Sequence, residues 1–166
     1  MMKGMIALAA ALVAIQAQAA QPAATSHTVL KDCVIQEVLP GKDMTGAFVR
    51  FVHQGAPVEM LRAEVPGVSE RIELHSMAVK DGVMEMIPLT NPRLEAGERV
   101  FKKGADHVML FDIKDKPAIG SRHMIRIYFS NQTMASCEAV VKSLQDVMKD
   151  AGIKGAVQGG MPKPGH

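Results

Sequence analysis

From His27 to residue 141 the chain is a succession of short apolar runs, each of strand length and each closed by turn-forming residues. This pattern constrains the fold most, because period-two runs cut by Gly, Pro, Asn and Asp specify paired strands. Thr45 to His53 sets Ala47, Val49 and Phe51 on one face and Phe48 and Val52 on the other. Ser69 to Met77 alternates with Ile72 and Leu74 inward and Arg71, Glu73 and His75 outward. Asp81-Gly82 is a two-residue hairpin signal, and Val83 to Leu89 is the returning strand. Further strands are expected at Val29–Val38, Pro57–Val65, Arg99–Lys102, His107–Ile113, His123–Phe129 and Thr133–Val141. The fold class is therefore all-β, an antiparallel sandwich or barrel, with no visible internal repeat.

The two ends read differently. Met1 to residue 19 has the form of a signal peptide, with Lys3 followed by an apolar run and then Ala17-Gln18-Ala19 as an A-x-A cleavage pattern. Residues 20–26 are expected to be a flexible mature N-terminus, and residues 27–141 the folded domain. At the other end Val140, Val141, Leu144, Val147 and Met148 fit helical spacing. A short helix is expected from Lys142 to Asp150, stopped by Gly152, with a Gly- and Pro-rich tail out to His166. Removing the leader leaves about 147 residues, enough for one domain with a core. The expected protein is exported to the periplasm, crosses no membrane with a later segment, and is a monomer.

Composition narrows the function by exclusion. Formal net charge is +2, with basic and acidic residues interleaved, and there is no Trp and only one Tyr. Neither a basic stripe nor an aromatic platform is present, so nucleic acid is not an expected partner. No activated Ser-His-Asp pattern, paired carboxylates or phosphate-cradling glycine loop marks an enzyme. The two cysteines, Cys33 and Cys137, lack CxxC spacing, and in an oxidising compartment an even count favours a structural disulfide. Methionine is the outlier at 13 residues.

Four residues form a candidate metal set: His75, Met86, His107 and Met109. Thioethers with imidazoles suit copper(I) better than zinc or iron(II). His107 and Met109 are two apart in a strand and leave the same face, and the hairpin places Met86 where a strand end can meet His75. Met77 and Met84 flank the set, as alternative thioethers or as side chains lining it. Met44, Met60, Met124, Met134 and Met148 read as filler, the usual role of methionine. His27, His53 and His123 have no partner at metal spacing.

These residues resemble the periplasmic PCuAC copper chaperones. The family's pattern of His, Met and a later His-x-Met is met by His75, then ten residues, Met86, then twenty, then His107-Val-Met109. The second gap is one residue shorter than usual, and the difference falls in the Asn91 to Gly104 loop region, where length is cheap to change. Glu73-Leu-His-Ser-Met77, Asp81-Gly-Val-Met-Glu-Met86, Ala96-Gly97 and the Lys-x-Gly-x-x-His-x-Met-Leu run ending at Leu110 also fit. The resemblance implies a cupredoxin-like, Greek-key β-sandwich that binds one copper(I) at the four positions. It further implies delivery to an acceptor in cytochrome oxidase copper-site assembly, with a second metallochaperone as a further partner. Met161 and His166, in an extension beyond the minimal family domain, are candidates for a second copper.

Two rival readings remain at this stage. An electron-transfer cupredoxin needs a cysteine thiolate beside its histidines; the terminal Pro-Gly-His166 has no such cysteine before it. A metal-free immunoglobulin-like binding module would take up no copper(I). For the copper reading, affinity is expected to weaken as pH falls through the histidine range near 6.5.

Overall fold

The computed structural model describes residues 26–153. The leader and the tail with Met161 and His166 therefore lie outside the described residues. Ten strands and one helix follow in order: β1 (His27–Gln36), β2 (Thr45–Gln54), β3 (Val58–Glu64), β4 (Arg71–Lys80), β5 (Val83–Pro88), β6 (Arg93–Leu94), β7 (Gly97–Val100), β8 (His107–Phe111), β9 (Arg122–Phe129), β10 (Met134–Lys142) and α1 (Leu144–Asp150). No helix among the described residues is long and apolar enough to cross a membrane.

The strands form one hydrogen-bonded path, β5-β4-β8-β2-β1-β10-β9-β3-β6. β7 and β8 share the free edge of β2, β8 along Thr45–Ala47 and β7 along Arg50–His53. Residues from distant parts of this path, such as Leu110 of β8 and Ile127 of β9, meet in a single buried cluster. The sheet thus folds over on itself into two layers, which is how an antiparallel sheet buries one face and leaves the other outward. The all-β expectation holds. Within it, one pairing is parallel: β1 meets β10 at Val34–Val140, Ile35–Val141 and Gln36–Lys142.

A bulge in β1 between Lys31 and Val34, with Asp32 at φ 50°, comes just before that seam. An extra residue at such a point twists and bends a strand, which suits a strand changing partners between layers. Cys33 lies in the bulge and is joined to Cys137 of β10, 104 residues away, by the expected disulfide.

The β4–β5 hairpin turns on Asp81 and Gly82, at φ 52° and 79°, the positive pair a type I′ turn requires. α1 follows β10 as expected. Ser143 caps it, accepting from the Asp146 amide at 3.1 Å, and Val147 is its buried anchor against the body.

Candidate metal centre

Strand register decides which side chains share a face. β4 and β8 pair with Arg71 opposite Phe111, Glu73 opposite Met109 and His75 opposite His107. β4 and β5 pair with His75 opposite Pro88, Met77 opposite Met86 and Val79 opposite Met84. Directly opposed residues point to the same side of an antiparallel pair. All four candidate donors therefore lie on one face, the one turned away from the core. Ile72, Leu74, Val108 and Leu110 take the other side and join the core cluster.

The site therefore lies on the outer face of a sheet. His75 is in phase with Arg71 and Glu73, as its position in the alternation predicts, yet it is only 8 % exposed. A ring from β8 packs against it. The Phe111 ring stands 5.8 Å away edge-on, and the Arg71 guanidinium lies 4.1 Å over that ring. His107 is 7 % exposed, with its ring centroid 6.0 Å from that of His75. Met109 is buried, opposite Gly46 of β2, and a Cβ at Gly46 would come within 3.2 Å of the Phe48 ring and 3.9 Å of His107 Cδ2. Glycine there leaves room for the Phe48 ring.

The hydrogen bonds fix which nitrogen of each ring is free. The Ala105 carbonyl lies 2.8 Å from His107 Nδ1. A carbonyl only accepts, so Nδ1 carries the proton and Nε2 of the neutral ring presents its lone pair. That Nε2 stands 3.2 Å from Met86 Sδ, with no proton between the two donors. The loop carrying Ala105 is itself held: Asp106 accepts from Ser76 Oγ of β4 at 2.5 Å and from Arg99 at 2.7 Å.

His75 is oriented the opposite way round. Its Nε2 donates to Glu73 Oε2 at 2.8 Å, and Nδ1 is buried with no hydrogen-bond partner. An unsatisfied buried polar atom costs about 1–3 kcal/mol unless something takes its lone pair. The His75 ring holds the Glu73 carboxyl below the usual carboxylate range, with desolvation opposing and Arg71 assisting. Carboxylate or carbonyl behind imidazole is how metal-ligating histidines are commonly steered. Sequence reasoning singled out the two histidines, but it missed Glu73 and the Ala105 carbonyl as their hydrogen-bond partners. For Glu73 the signal was the Glu-x-His spacing on one strand face.

Burial pushes the His107 imidazole below the usual histidine value, opposed by its bond to the Ala105 carbonyl and assisted by the nearby Lys103 charge. Its neutral, metal-competent form therefore persists to lower pH than that of an exposed histidine.

Met86 opposes Met77 in the ladder, on the same face as His75, and its sulfur reaches across β4 to His107. His53 is structural, held between Thr28 Oγ1 at 2.8 Å and the Ala56 carbonyl at 2.9 Å. Among the described residues no three His, Cys, Asp or Glu side chains group as a metal cage. Only with thioethers counted does the donor set reach four, which favours a soft monovalent cation over zinc.

Fold and face together define a β-sandwich domain presenting a histidine–methionine donor set on one sheet. The sequence model of the LpqE-like family, described as lipoproteins, matches residues 13–141, and the chain belongs to that family. Among solved structures it is similar to the copper-bound PCuAC domain from PmoF2, at 16% identity and TM-score 0.54, over 69% of this chain and 91% of that one. It is likewise similar to the apo PCuAC domain from PmoF1, at 13% identity and TM-score 0.56, over 69% and 92%. The copper(I) form of DR1885 from Deinococcus radiodurans matches at 21% identity and TM-score 0.51, over 75% and 81%. The fold is thus the cupredoxin-like PCuAC one. No curated protein sequence matches the chain.

Proposed function

We propose that the protein is an exported carrier that binds one copper(I) ion and surrenders it to an acceptor protein. His75 Nδ1, His107 Nε2, Met86 Sδ and Met109 Sδ are the donors. The observation that carries this reading is the pair of lone-pair donors, Met86 Sδ and His107 Nε2, set 3.2 Å apart beside a buried, unpartnered His75 Nδ1. Similarity to PCuAC domains solved with copper supports the same metal. Two imidazoles and two thioethers bring no ligand charge, so binding lacks the tenacity of thiolates, and donors can be exchanged one at a time. Both cysteines are tied in the disulfide, so a blue electron-transfer centre has no thiolate. Export agrees with the lipoprotein family and with that disulfide. The family resemblance supports an acceptor in cytochrome oxidase copper-site assembly; a second copper through Met161 and His166 would need the tail.

Anaerobic titration of the mature protein with copper(I) against a chromophoric chelator tests the reading. One equivalent bound with no intense blue absorption is expected, and a protein that takes up none is not a carrier. Truncation after Gly152 should leave that first equivalent in place.

The same titration repeated between about pH 5 and 8 has a predicted sign. Copper requires the neutral ring, and burial lowers the proton affinity of His107. Full binding through His107 is therefore present above the ordinary value near 6.5 and is lost only as pH falls through its depressed folded value. Affinity should be nearly flat from about pH 8 to 7 and decline below about 6.5. Loss of most of the affinity above pH 7 would contradict the assignment of a buried His107.

A further inference from the structure

The β4–β5 hairpin carries thioethers that packing does not use. Met60, 3 % exposed, is how a methionine of this domain looks when it fills the core. Met84 is 53 % exposed and Met86 42 %, both on β5, the edge strand of the ladder. Single exposed apolar residues need no explanation. These, however, share a face and a register with the donor set: Met77 lies directly opposite Met86, and Met84 is the next residue on that face towards the hairpin tip. Opposed Cβ atoms stand about 5 Å apart and same-face neighbours along a strand about 7 Å, within reach of flexible thioether side chains. By register, Met84 and Met77 thus neighbour the most exposed of the four proposed donors.

We infer that Met77 and Met84, with Met86 as the shared ligand, form a thioether station through which copper(I) enters and leaves the site. The inference rests on the copper(I) reading above. His75, His107 and Met109 are buried, so an incoming ion first meets sulfur at the hairpin. On exit, a copper–sulfur bond to Met77 or Met84 forms as a copper–nitrogen bond to His75 or His107 breaks, while Met86 stays bound. The metal keeps its oxidation state, and no proton has to reach a thioether. Entry is the reverse sequence.

The test is anaerobic stopped-flow exchange of copper(I) between the mature protein and a chromophoric copper(I) chelator, in both directions. The proteins compared are wild type, a Met77→Leu/Met84→Leu double variant and a Met134→Leu control at an exposed site on β10. Leucine keeps the apolar bulk and removes the sulfur. Both uptake and release should slow about tenfold in the double variant, an added barrier of about 1.4 kcal/mol. Its equilibrium affinity and the rates of the control should stay at wild-type values. Rates of the double variant within twofold of wild type would overturn the station while leaving the copper site standing. A fall in its equilibrium affinity would overturn it too, by making these sulfurs ligands of the resting ion. Wild-type protein that takes up no copper(I) would remove the site and the station together.

Discussion

Replacing His107 by alanine should lower copper(I) affinity by at least about 100-fold, the largest binding effect expected of any single change in this chain. The variant loses Nε2 and with it the partner that Met86 Sδ faces at 3.2 Å. Met86, already 42 % exposed on an edge strand, then has no fixed position from which to bind. His75→Ala should follow closely, because it deletes the buried Nδ1 whose lone pair lacks any other partner. Glu73→Ala separates orientation from ligation. That carboxylate is exposed and its hydrogen bond to a proposed donor is the one from His75 Nε2, so its removal should cost about 10-fold in affinity with little loss of apo stability. His53→Ala is the opposite control. It should destabilise, since His53 is buried and bonded on both sides, and should leave copper affinity unchanged in whatever protein remains folded. Chelator competition and apo thermal unfolding on the four variants check this. A His107→Ala protein that is folded and binds within threefold of wild type would remove the proposed centre.

Much of this arrangement was legible in the residues because it is local. The Asp81-Gly82 turn fixes the register of β4 on β5, and the x-His-Val-Met alternation in β8 sets both donors on one face whatever packs beneath. What was hidden depends on partners distant in sequence. Nothing near His75 in the chain says that Phe111 of β8 will stand against it, so its outward phase did not reveal its burial. The hairpin alone places Met86 on the face of His75, but the reach of its thioether across one strand to His107 follows from three-strand geometry, which the hairpin does not contain. The parallel β1–β10 seam was likewise invisible, since each strand separately has the pattern of an antiparallel partner. The two-residue β6, and the sharing of one β2 edge between β7 and β8, are too short to mark a periodicity.

Removing the disulfide should have the largest effect on stability and almost none on copper. The bridge from Cys33 to Cys137 closes 104 residues of chain, and in the loop-entropy account a closure of that size is worth about 4–5 kcal/mol. Its location adds to its weight. β1 and β10 meet through only three register pairs, and this seam is the single link in the ladder between β2 on one side and β9 on the other. A Cys33→Ala/Cys137→Ala protein should therefore unfold about 10–20 °C lower than wild type. The double variant is preferable to a reducing agent, because freed thiolates would themselves bind copper(I). Its copper affinity measured well below the unfolding temperature should stay within threefold of wild type, because the proposed donors sit on β4, β5 and β8, which β2 and β1 separate from β10 in the ladder. Loading with copper should then raise the stability of both proteins by the same free energy, as mass action on an unchanged site requires, about 2.7 kcal/mol at a free concentration of 100 times Kd. Affinity falling in step with stability would mean that the seam shapes the donor face. An unfolding temperature within a few degrees of wild type would mean that the ladder and core hold the two layers together without the bridge.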